Sequence, residues 1–125
     1  TGIASIAHIH ELEPPKESPT IRQIADLYAS KPQLSAEEAQ RCRRYWKKFV
    51  RITGVRTVRE ITHSVVENYE QQITKGEWAP KTLKHHYSGL RTTLAYALKR
   101  GRNPEDCRRA LDALSMLQVP DANSF

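Results

Sequence analysis

Apolar positions recur at intervals of three and four from Thr20 onward, and nowhere alternate like a strand for more than a few residues. The pattern divides into five segments, each bounded by residues that start or stop a helix. Thr20 is an N-cap candidate for 20–30, where Ile21, Ile24, Ala25 and Tyr28 form one stripe; Pro32 follows. Ser35 and Glu38 have capping-box spacing ahead of a segment reaching Thr53. Ala39, Cys42, Trp46, Phe49 and Val50 line its inner face, and Gly54 is placed to end it. The third segment runs from Thr62 to near Thr74, with Val65, Val66, Tyr69 and Ile73 inward and Gly76 after it. The fourth opens on Pro80, a first-turn residue, and repeats Leu83, Tyr87, Leu90, Leu94, Ala97 and Leu98 up to Gly101. The fifth begins at Asn103-Pro104-Glu105-Asp106, which reads as a cap, an N1 proline and two acids at the positive end of the helix dipole. Its inner face is Cys107, Ala110, Leu111, Leu114 and Leu117, with Pro120 as the stop. No internal repeat is visible. The expected fold is all-α, a bundle with short connections.

The 125 residues allow one domain, read here as 20–118. Residues 1–19 differ from it. They hold Pro14, Pro15 and Pro19, and three glutamates against one lysine give them a charge of about −2. They are expected to form an extended, flexible arm, and residues 119–125 a tail. Thr1 rather than Met opens the chain, as in a piece excised from a longer protein. No apolar run approaches the roughly 18 residues of a membrane span, so no membrane partner is expected. Two cysteines exclude a disulfide scaffold and a four-cysteine zinc site. His8 and His10 have the spacing of a metal pair, but no third ligand is near and they read as arm sequence. No Gly-rich phosphate loop, His-Glu-x-x-His or Ser/His/Asp order appears. The chain is therefore expected to be no enzyme and to carry no metal or cofactor.

Charge changes the picture more than composition does. The formal net charge is +6, which points to an acidic partner, nucleic acid first. Residues 39–59 contain eight basic residues and no acid: Arg41, Arg43, Arg44, Lys47, Lys48, Arg51, Arg56 and Arg59. Residues 78–104 contain six and no acid: Lys81, Lys84, Arg91, Lys99, Arg100 and Arg102. Ordinary solvated helices mix signs, because opposite charges four apart stabilise them. At about 100° per residue, Arg41, Arg44, Lys48 and Arg51 share an arc of roughly 80°, opposite Cys42, Trp46 and Phe49. Lys81, His85, Ser88, Thr92 and Lys99 lie opposite the Leu83–Leu90–Leu94 stripe in the same way. Each helix thus has one face for the core and one for a polyanion. The small residues Ser88, Gly89, Thr92, Thr93 and Ala95 suit close approach to a surface. Trp46, Phe49, Tyr69 and Tyr87 read as core, Cys42 and Cys107 as buried thiols, and His86 as a flank residue without a role. Trp78 either staples the bundle or rests against a sugar-phosphate chain.

In these segments the chain resembles the core-binding domain of the tyrosine recombinases, or phage integrases. Thr20 to Tyr28 is similar to the family's opening helix, and Ser35 to Gly54 to its second. Val58-Arg59-Glu60-Ile61-Thr62 with Val66 and Tyr69 matches the next segment. Ala79-Pro80-Lys81-Thr82-Leu83 with Tyr87, Leu90-Arg91, Leu94, Ala97 and Gly101 matches the fourth helix, and Asn103-Pro104 the pair that often follows. The resemblance covers about residues 20–104. It implies four helices in two crossed hairpins, to which this chain adds a fifth.

The resemblance also implies double-stranded DNA as the partner, held in a clamp whose other half is a catalytic domain outside this chain. It implies a cytoplasmic protein of bacterial or phage origin, a parent that is multimeric on DNA, and a monomeric fragment. The DNA-facing helices would be the second and fourth. The candidate contacts are Gln40, Arg41, Arg44, Lys48 and Arg51, then Lys81, Thr82, Lys84, His85, Ser88 and Arg91. Asn103-Pro104 follows Gly101 sooner than the family pattern has it. With the catalytic domain absent, none of Tyr28, Tyr45, Tyr69, Tyr87 or Tyr96 is assigned a catalytic role. Two other classes remain open: a stand-alone helical DNA-binding regulator, for which the stretch from Thr74 to Pro80 is a long turn, and a helical protein-interaction module.

Overall fold

The computed structural model describes residues 18–76 and 78–119. Among them five α-helices follow in order: α1 (Ile21–Ala29), α2 (Ala36–Thr53), α3 (His63–Thr74), α4 (Pro80–Lys99) and α5 (Pro104–Leu114). A 3₁₀ turn, Val58–Glu60, lies between α2 and α3, and one antiparallel bridge joins Thr20 to Thr57. The fold is all-α, as the apolar spacing requires. No helix among the described residues is long and apolar enough to cross a membrane.

Local chemistry explains most boundaries. Thr20 Oγ1 accepts from the Gln23 N–H at 3.0 Å while Gln23 Oε1 accepts from the Thr20 N–H at 2.9 Å, a complete capping box. Ser35 caps α2 through the Glu38 N–H at 3.1 Å, and Thr62 caps α3 through the Val65 N–H at 3.3 Å. Gly54 ends α2 at φ 75°, where a side chain would be strained. After α4 the Arg102 N–H bonds to the Ala97 carbonyl and the Gly101 N–H to that of Leu98, the paired bonds of a Schellman ending.

Asn103 corrects the sequence reading. It stands at the N-cap of α5, but its side chain caps nothing, and its Nδ2 is buried without a partner. Asn103 is in the left-handed region, at φ 40°, which Asn tolerates better than most residues, and not in the extended region from which an N-cap side chain usually reaches back. Of the two acids that follow, Asp106 is buried and accepts from Arg59 Nε at 3.2 Å, tying α5 to the 3₁₀ turn. That turn also holds the end of the arm. The Arg59 N–H donates to Ser18 Oγ and the Val58 N–H to the Pro19 carbonyl. Ser18 and Pro19 therefore belong to the domain. Residues 1–17, with His8 and His10, lie outside the described residues, as do 120–125.

One core runs through the bundle. Its centre is a chain of rings: Trp46 edge-on to Phe49 at 5.5 Å, Phe49 tilted on Tyr69 at 4.8 Å, Tyr69 edge-on to Tyr87 at 6.2 Å. None of the four is more than 2% exposed, so all are core, and they link α2, α3 and α4. α1 pairs with α2 and also meets α4, and α3 packs on α2 and α5. The most extensive pairing of α4 is with α5, so the added helix is part of the bundle rather than an appendage.

Cys42 and Cys107 are both buried thiols. Burial, with the Asp106 carboxylate beside it, pushes the Cys107 thiol up to about 11. At about pH 8 only about one such thiol in a thousand is ionised, and the thiolate is the reactive form. Ellman's reagent is therefore expected to titrate two thiols rapidly in denaturant and neither rapidly in the native protein. Fast native reaction of either cysteine would contradict this packing.

Candidate nucleic-acid interface

α2 and α4 meet along one seam. Cys42 Sγ lies 3.1 Å from Thr93 Oγ1. The Tyr45 ring packs tilted against His86 with centroids 4.4 Å apart. Lys48 Nζ stands 5.5 Å over the Trp78 ring, which in turn packs edge-on against His86 at 5.1 Å. As the number rises on α2 it falls on α4, so the helices run antiparallel. Gly89 permits the approach: a Cβ there would lie 2.5 Å from Tyr45 Cδ2.

Helical spacing then fixes what borders the seam. Arg41 is four residues before Tyr45, and Arg44 is four before Lys48. Thr82 is four before His86, and His85 is four before Gly89. Residues so spaced lie in one row. Both helices bury one face in the same core and leave these rows outward. Arg41, Arg44, Lys81, His85, Ser88, Thr92 and Lys99 are all exposed, with Lys48 and Thr82 half-buried. The antiparallel arrangement sets Lys48 beside the start of α4 and Arg41 about 10 Å further along the seam. Arg51 is exposed in the last turn of α2. No side chain caps α4, because Ala79 stands at its N-cap. An uncapped helix N-terminus offers free N–H groups to an anion.

Gln40, one turn before Arg44 in the row that leads to Lys48, also lines a groove between α1 and α2, as does Arg44. Lys84 and Arg91, seven apart, lie on the flank of α4 away from Gly89. Arg91 is half-buried, and its Nε donates to the Tyr87 carbonyl at 3.3 Å. Gly89 and Thr93, read as small residues for approaching a ligand, are instead spent on α2, and Thr93 is fully buried. His86 is not a flank residue: it is 7% exposed, enclosed by Tyr45 and Trp78. A glycine inside an otherwise regular helix is the signal for such a close approach. Trp78 staples α4 to α2 through His86 and Lys48.

Burial lowers the pKa of His86 first, and the Lys48 ammonium and His85 add to it. Nδ1 has no partner. The native state therefore holds His86 neutral, while the unfolded chain takes a proton below about pH 6.5. Stability from this group is full above that pH and is lost as pH falls toward the lower native value. The expected result is a melting temperature that drops as the pH falls below about 6.5, with a smaller drop in His86→Phe, which keeps a ring between Tyr45 and Trp78. An unchanged pH profile in that variant would contradict the assignment.

Among the described residues no cluster of three or more His, Cys, Asp or Glu is placed to hold a metal ion. No protein-family model, curated protein or solved structure matches the chain.

Proposed function

We propose that this chain binds double-stranded DNA along the α2–α4 seam, as the core-binding half of a site-specific tyrosine recombinase clamp. The observation that carries this reading is the packing of two acid-free stretches into one seam, with exposed cations on both helices beside it. Charge of one sign on adjacent rows suits two phosphate strands better than it suits solvent. Arg41, Arg44 and Lys48 would engage phosphates from one bank, and Lys81, Thr82 and His85 from the other. The uncapped start of α4 adds N–H donors. Contacts of this kind position a protein on the duplex without reading sequence. Strand cutting and rejoining would fall to a catalytic domain outside this chain, and multimer formation on DNA to the parent protein.

The test is an NMR titration with a short duplex at several salt concentrations. Amide shifts concentrated at Arg41, Arg44, Lys81, Thr82 and His85, weakening steeply from about 50 to 200 mM salt, are the expected result. No shifts at the lowest salt would overturn the reading in favour of a protein-interaction module.

A further inference from the structure

The groove between α1 and α2 shares Arg44 with the seam but is chemically different. Ile21, Ala25, Trp46 and Val55 close its floor and are themselves buried, so the apolar surface left open is that of the half-buried Val50 and the aliphatic stems of the rim. Its rim is cationic. Asp26, the one acid lining it, is taken by Arg43 at 3.2 Å. Arg22, Arg44, Lys47 and Arg56 have no ion-pair partner among the described residues. An occupant that supplies negative charge together with some apolar side chains matches this lining better than a sugar-phosphate chain, which supplies only the charge.

The chain carries such a segment itself. Ile3, Ile6, Ile9 and Leu12 recur at every third position, a spacing that gathers them on one side of a three-residue-per-turn extended chain. Glu11, Glu13 and Glu17 lie among and after them, against the single Lys16. This segment leads into Thr20, which lines the groove. The eight residues from Leu12 to Thr20 reach up to about 26 Å, whereas the nine-residue α1 is only about 13 Å long. A tether this short keeps the segment near an effective concentration on the order of millimolar.

We propose that the α1–α2 groove is the docking site of the chain's own residues 6–17, with Ile6, Ile9 and Leu12 against Val50 and the aliphatic stems of the rim and the glutamates at its charges. Docking engages Arg44, which also belongs to the seam row. On the proposed DNA-binding reading, the segment then competes with a duplex for that arginine.

The test uses the full chain without DNA, so its outcome is independent of whether the seam binds a duplex. A nitroxide is attached through Ser5→Cys; Cys42 and Cys107 are buried and leave the new thiol as the reactive one. Expected is a loss of amide peak intensity at Arg22, Ala25, Lys47 and Val50, and none at Arg108 and Arg109. Glu11→Lys with Glu13→Lys should abolish the loss, and adding Lys47→Glu with Arg56→Glu should restore it. Full intensity at the groove amides in the labelled chain overturns the proposal. So does an intensity loss seen only when spin-labelled chain is mixed with isotope-labelled chain, because the occupant is then a second copy. Groove amides that are silent in the free chain but shift with added duplex make the groove a DNA surface, and overturn it as well.

Discussion

A chain carrying Arg41→Gln, Arg44→Gln and Lys81→Gln is expected to bind a duplex with a log–log salt slope shallower by about 3 than the unmodified chain. Each phosphate contact releases about 0.9 counterion from B-DNA, so three lost contacts weaken binding by roughly 500-fold near 0.1 M salt. The comparison that decides the matter is Arg108→Gln with Arg109→Gln. Both residues are exposed on α5, away from the seam. If location matters, this pair leaves the slope nearly unchanged; if net charge alone matters, it costs affinity in proportion to the charge removed. Fluorescence anisotropy at several salt concentrations measures both variants, and equal losses per charge would defeat the seam as the binding surface. All five side chains are exposed, so thermal melts should stay close to that of the unmodified chain.

The second large effect is on stability. Phe49 is fully buried and joins the rings of Trp46 and Tyr69. Phe49→Ala removes both contacts and leaves a cavity where α2, α3 and α4 meet, a loss of about 3–5 kcal/mol. Typical domains have only about 5–15 kcal/mol in total, so the midpoint in urea should fall sharply. Phe49→Leu keeps most of the volume and should lose less than about 1.5 kcal/mol. Similar losses for the two variants would mean that ring contacts, not volume, dominate this part of the core.

Features that depend on a few neighbouring residues were legible before the fold was known. Thr20, Ser35, Thr62, Gly54 and Pro80 act through backbone groups within four residues of themselves, and each bounds a helix as its chemistry dictates. Asn103 stands at the N-cap as its type and Pro104 suggest, but its left-handed backbone and the missing side-chain bond were not legible from either local rule. The basic rows were visible as charge without acid, but their neighbours were not. His86 is enclosed by Tyr45, 41 positions earlier, and by Trp78, outside its own helix, so helical periodicity alone could not bury it. Gln40 and Arg44 share the row that leads to Lys48, yet both also line the α1–α2 groove. That groove depends on where α1 packs against α2, which no single-helix projection contains.

Gly89 has a consequence for the thermodynamics of docking. With no side chain at Gly89, α2 and α4 come close enough for Tyr45 to pack over it, and that contact sets the backbone separation of the two rows. On the proposed DNA-binding reading, this half of the clamp needs no folding of its own to meet a duplex. The heat-capacity change of binding should then be small, since little apolar surface leaves water. Widening the spacing with Gly89→Leu should raise the dissociation rate while leaving the encounter rate, which is set by long-range charge, nearly as it was.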